Sequence, residues 1–211
     1  MSKTKSAEAI MQEYDEKYGD IPLDHNDILA YLRSKYSKID MNEINATIES
    51  IHSIPWESET YTIPLIPKPA ARPRYSFESK HFYVPGSSTN KTIMKKILGV
   101  SDSLIMSRVV IDMYIFQPTP CYKMTQSEIY LAELGEIRPL IDPDVDNFAK
   151  AYLDAIQGVL IADDNIITDA NFHKYFSVKP RIELNLGYQT EFDSKYNEKV
   201  IMERLKRMEG K

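Results

Sequence analysis

Residues 109–116 constrain the fold most. Val109, Ile111, Met113 and Ile115 alternate with Val110, Asp112, Tyr114 and Phe116, a period of two that sends one set to each face of a β-strand. Such a strand needs a second layer to cover its apolar face, so an all-helical bundle is excluded. Elsewhere the period is helical. Residues 5–18 read as a first helix with few apolar residues (Ala7, Ile10, Met11, Tyr14). Asp24 or Asn26 can cap a second, with Ile28, Leu29, Leu32 and Tyr36 at helical spacing, and Asp40 a third, with Met41, Ile44, Ile48 and Ile51 on one face and Pro55 as its stop. Further helices are expected over 89–98, from Thr125 or Ser127 to Leu134, over 147–157 and over 192–208. Short strands are expected at 61–64 and 81–84, and residues 166–177 and 181–186 read as strands paired with each other. Strands and helices mix without a strict βαβ rhythm, which places the chain in the α+β class. The expected domains are an acidic helical extension (1–56), a main body (57–190) and a basic C-terminal helix (191–211).

At 211 residues the chain can bury a full core without staples. It has a single cysteine, Cys121, so no internal disulfide can form, as suits a reducing compartment. No run approaches the ~20 apolar residues of a membrane span, and the polar N-terminus lacks the apolar core of a signal peptide. The expectation is a soluble, cytoplasmic protein that does not use a membrane.

The net charge of −5 is unevenly spread. Residues 1–60 carry a net −6. Residues 64–100 carry a net +6, from Lys68, Arg72, Arg74, Lys80, Lys91, Lys95 and Lys96 against Glu78. Residues 138–169 carry a net −5, with seven aspartates. An acidic total thus conceals a basic surface fit for a polyanion and a concentrated carboxylate site, and local sign decides such contacts.

That site is written Asp142-Pro143-Asp144-Val145-Asp146-Asn147, then Lys150, Asp154 and Asp163-Asp164. Asp144 and Asp146, two apart on an extended segment, share a face, and crowded carboxylates repel unless a cation lies between them. Magnesium suits oxygen ligands and takes one or two carboxylates, the rest water and substrate phosphate. With a helix from Asn147, Asp146 falls at the N-cap and Lys150 one turn on; Asn147, Lys150 and Asp154 share a polar face, while Phe148, Tyr152, Ala155 and Ile156 share an apolar one. Each piece has a plainer reading. An Asp-rich loop before a helix is usually a cap, Asp-Asp before Asn165 usually a turn, Asp154 a partner for Lys150, and the basic run a solvated face. Tyr75 and Phe77 read as core rather than as a wedge into DNA. What weighs against chance is the occurrence of all of them at this order and spacing.

The stretch Pro143-Asp144-Val145-Asp146-Asn147-Phe148-Ala149-Lys150, with Asp154-Ala155-Ile156, Gly158 and Asp163-Asp164-Asn165-Ile166-Ile167, resembles the RusA family of Holliday-junction resolvases. Lys174 and Lys179-Pro180-Arg181-Ile182-Glu183-Leu184 are similar to that family's closing strands, and Ile63-Pro64 through Arg72-Pro73-Arg74-Tyr75 to the opening strands of its phage members. Asp142 stands where many members carry Lys or Arg. The resemblance covers roughly residues 60–188. It implies a small mixed β-sheet flanked by helices, here with an added N-terminal helical segment. It also implies a homodimer that resolves four-way junctions by paired, magnesium-dependent nicks, with Mn2+ as the substitute cation. Carried over, Asp144, Asp146 and Asp164 are the metal-binding acids, with Asp163 as a further candidate, and Lys150 the essential lysine. Lys68, Arg72, Arg74, Lys91, Lys95 and Lys96 are the expected phosphate contacts. The alternatives are a magnesium nuclease for flaps or forks, a non-catalytic branched-DNA binder, and an adaptor whose N-terminal helices bind a protein partner.

Overall fold

A four-stranded mixed sheet organises the larger of two units in this computed structural model. The units are Met1–Ser53 and Ile54–Lys211, and the structure describes residues 6–36, 38–70, 74–76, 81–83, 91–100 and 104–209. The first unit holds α1 (Ala7–Tyr18), α2 (His25–Lys35) and α3 (Met41–Ser53). Asp24 caps α2 by accepting from the backbone N–H of Asn26 at 2.9 Å, and Asp40 accepts from that of Asn42 at 2.8 Å. No residue of these three helices is buried.

The second unit runs β1 (Trp56–Ile63), β2 (Arg74–Ser76), β3 (His81–Tyr83), α4 (Lys91–Leu98), β4 (Val109–Pro118), α5 (Gln126–Glu133), α6 (Val145–Ile156), β5 (Ile167–Ser177), β6 (Arg181–Gln189) and α7 (Lys195–Glu209). This is the expected α+β class. The sheet order is β1-β6-β4-β5, and β2 and β3 form a separate hairpin. β4 is parallel to β5 and antiparallel to β6. The expected pairing of β5 with β6 is therefore wrong: β4 lies between them. β4 takes the centre because it offers apolar residues to the core along its whole length, whereas residues 168–171 of β5 are exposed and suit an edge. The parallel β4–β5 step needs a long crossover, which α5 and α6 provide.

β4 alternates as its sequence requires. Val109, Ile111, Met113 and Ile115 are buried, and Val110, Asp112, Tyr114 and Phe116 half-buried. The buried set joins Ile63, Ile182, Leu184 and Leu186 from the neighbouring strands and Phe148, Tyr152, Ala155 and Ile156 from α6 in one core. α6 is thus held rigidly by its apolar face, and its polar face is left outward. α4 packs on α6 and β1, burying Met94 and leaving Lys96 exposed.

Candidate active site

α6 begins two residues earlier than the sequence pattern suggests. Asp144 is the N-cap (φ −64°, ψ 153°), so Asp146 lies in the first helical turn, not at the cap, and the pair is not on one extended segment. The start is drawn back because Phe148 and Ala149, both buried, need a full turn before them to reach the core. Asp144 occupies a cap position without capping: its side chain accepts no bond from the helix. Asp144 and Asp146 are exposed, and neither carboxylate has a hydrogen-bond or ion-pair partner among the described residues. The positive end of the helix macrodipole stabilises both charges there. Lys150 is exposed one turn on. No salt bridge joins it to Asp154 among the described residues, so the structural pairing expected of Asp154 is not made. Asn147, Lys150 and Asp154 lie on the outward face as expected.

Two sets of contacts set the place of these acids. Lys174, at a β5 position whose neighbours Phe172 and Phe176 turn to the core, donates its Nζ to the carbonyls of Ile141 (2.8 Å) and Pro143 (2.9 Å). It pins the loop that ends in Asp144, a loop that contains a cis Asp142–Pro143 peptide. Arg138 donates to the Lys174 carbonyl at 2.9 Å and lies 3.4 Å over the Tyr175 ring. On the other side, the backbone N–H of Ala70 donates to the Asn147 carbonyl (2.9 Å) and that of Lys68 to the Tyr152 hydroxyl (3.0 Å). Those bonds strap the proline-broken segment 64–70 along α6 and bring the exposed Lys68 beside the helix. Burial raises the pKa of the Tyr152 hydroxyl.

Of the other basic residues, Lys96 is exposed and Lys95 half-buried on α4. Arg74 opens β2 and Lys91 opens α4; Arg72 and Phe77 lie outside the described residues.

Asp163 and Asp164 follow the C-terminal end of α6, past the buried turn 159–162. Asp163 is 1% exposed. Its carboxylate accepts from Arg204 Nε at 2.6 Å, Gln157 Nε2 at 3.2 Å and the Asn165 backbone N–H at 3.0 Å, as well as from the Asn165 side chain. Burial alone would raise its pKa; the Asn165 and Arg204 donors outweigh burial and hold it below the ordinary value. Asp164 is exposed, and its pKa is raised, first by partial desolvation, then by Asp163 and Asp154, with Arg204 opposing. Asp164 is thus within electrostatic reach of Asp154, and Asp154 sits two helical turns, about 12 Å, beyond Asp146. Among the described residues no three His, Cys, Asp or Glu side chains form a group that could hold a metal ion. The expected acids thus stand as an exposed pair with Lys150 and, separately, an Asp163–Asp164 turn. The pair still fits magnesium, which needs no more than two carboxylates when water and phosphate complete its shell.

The family model described as Endodeoxyribonuclease RusA matches residues 64–187. The chain belongs to the RusA family. It is therefore an endodeoxyribonuclease, of a family that acts on Holliday junctions. A curated relative, the uncharacterized protein YqaN of Bacillus subtilis (strain 168), is 27% identical over 124 residues, 56% of this chain and 87% of that protein. The RusA match takes in Lys68, the whole of α6, Asp163, Asp164 and Lys174, and leaves out the first unit and α7. Sequence reading missed two contacts, that of Lys174 with the loop before Asp144 and that of Arg204 with Asp163. Lys174 carried a signal, a lysine on the apolar parity of a strand; Arg204 carried none beyond its place between Ile201 and Leu205.

Proposed function

We propose that this RusA-family endonuclease resolves four-way DNA junctions as a homodimer, making paired nicks that require Mg2+. The observation that carries the reading is the pair of exposed carboxylates, Asp144 and Asp146, unpartnered among the described residues, at the N-terminus of a helix held by its apolar face, with Lys150 one turn away. Asp144 and Asp146 would hold the cation; among the described residues Asp164 does not group with them within one chain, and it would serve as the third acid once the homodimer forms. When bound, magnesium supplies charge neutralisation on the phosphate and activation of the attacking water. Lys150 places a point charge on the non-bridging phosphate oxygens. Lys68 and Lys96 neutralise neighbouring phosphates and orient the duplex arms without reading bases. Asp163, already saturated with donors, serves as support for Asp164 rather than as a ligand. A two-fold dimer would match the near two-fold symmetry of a junction and place one centre at each of two strands.

The test is cleavage of a synthetic mobile junction beside flap and fork substrates, with and without Mg2+, by native protein and Asp146→Asn. Paired, symmetric, Mg2+-dependent nicks confined to the junction and absent from the variant support the reading. Equal cleavage of flaps, or native-rate nicking by the variant, overturns it.

A further inference from the structure

The catalytic assignment leaves α7 unused, since the helix lies outside the residues that match the family. Yet α7 is joined to the Asp163–Asp164 turn. Ile201 is buried in the core and Leu205 packs against it. Between them Arg204, itself half exposed, sends its Nε to Asp163 at 2.6 Å. Asp163 caps the short 3-10 turn Asp164–Ile166 through the Asn165 N–H, and the buried Ile166 anchors its far end. The only cation in salt-bridge contact with Asp163 among the described residues is Arg204. A buried carboxylate stripped of its counter-charge is strongly unfavourable, and it stands next to another carboxylate that repels it. The chain can relieve this by protonating Asp163 or by turning it out to water, and either removes the ion pair that ties the Asp164 turn to α7.

We propose that Arg204 is a positioning residue for Asp164, acting through the buried carboxylate of Asp163, so that α7 is part of the active centre. The inference rests on the reading of Asp164 as a catalytic acid. Arg204 touches neither DNA nor cation in this role.

The experiment compares full-length native protein with Arg204→Met, Arg204→Lys, the double variant Asp163→Asn/Arg204→Met, and Asp164→Asn. Mg2+ binding is followed by calorimetry without DNA, junction nicking and junction affinity separately, and folding by circular dichroism. Loss of a group that orients a ligand typically weakens metal affinity or activity about 10–100-fold. Arg204→Met is expected to fall in that range for Mg2+ affinity and nicking rate with junction affinity unchanged. Arg204→Lys keeps the charge and should recover part of the loss. The double variant no longer buries an unpaired charge and should bind Mg2+ more tightly than Arg204→Met. Mg2+ binding by Arg204→Met within twofold of native overturns the inference, as does a double variant no better than the single one. Should Arg204→Met not fold, the lysine and double variants decide by the same criteria. A dead Asp164→Asn beside a normal Arg204→Met defeats this inference alone; an Asp164→Asn that binds Mg2+ and nicks like native defeats the reading beneath it, and this inference with it.

Discussion

Asp144 is an aspartate at a helix N-cap that accepts no capping bond. A side chain in that place normally stabilises its helix by about 1 kcal/mol, so here the carboxylate is left available for another use. Asp146→Asn should lower nicking by on the order of 10²–10³-fold, the usual effect of removing one electrostatic contact to the reacting centre. Junction binding in a gel shift should be unchanged or tighter. Lys174 acts at one remove. Lys174→Met removes the donor to the exposed Ile141 carbonyl, which water can replace, and to the part-buried Pro143 carbonyl, at about 1 kcal/mol. The loop before Asp144 then loses its pin. Nicking should fall by about 10²-fold, the scale of a 1 Å misplacement, with a smaller effect on DNA affinity. Asp163 and Arg204 predict a pH dependence. The folded pKa of Asp163 lies below its ordinary value, so its contribution to stability is full above the ordinary carboxylate range and is lost as pH falls through the lowered value. Arg204 stays charged throughout. Asp164 titrates in the opposite sense, its raised pKa favouring the acid side. Denaturant midpoints should therefore show native protein well ahead of Arg204→Met at neutral pH, with the gap closing on acidification.

Elements repeat the pattern at a larger scale. α5 is closed by a full capping box, in which Thr125 accepts from the Glu128 N–H while the Glu128 carboxylate accepts from the Thr125 N–H. Glu128 is held below its ordinary pKa by those Thr125 donors. Thr125→Ala should reduce stability by about 1 kcal/mol, read as a shifted urea midpoint, with nicking unaffected. That helix, like α2 and α3, was legible because the cap residue and the apolar spacing are local. So was β4, whose alternation is a local property. The order of the strands was not. Ser177 and Arg181 are four residues apart, a spacing that suits a hairpin, yet β4 separates their strands. Gly135 closes α5 at φ +84°, and a Cβ there would meet the Tyr175 ring at 3.1 Å. The turn and the ring contact both call for glycine, and only the turn could be read beforehand.

Charge belongs to the whole molecule. A protein that holds DNA through phosphates releases counterions, so the logarithm of affinity falls with the logarithm of salt by about 0.9 per phosphate contact. Lys68→Ala and Lys96→Ala should each reduce the slope by about one without altering which structure is cut. Binding that ignores salt would defeat both assignments. Among the described residues the core, with the side chains packed on it, lies within residues 61–205, and α1, α2 and α3 bury none of their side chains. A chain of residues 54–211 should therefore unfold cooperatively with a midpoint close to that of the full chain, as followed by circular dichroism. A collapse of that transition would mean that the first unit supplies part of the core.

Caps, periods, the Asp-x-Asp-Asn-x-x-Lys spacing and the segregation of charge are properties of neighbours in the chain, and they sufficed for the fold class, the family and the acids to test. What holds those acids was decided elsewhere. Lys174 reaches the loop 31 residues before it, and Arg204 reaches Asp163 over a separation of 41. Contacts at such distances exist only once the sheet order and the packing of α6 and α7 are settled, because no local preference of the backbone carries information about which distant donor will arrive.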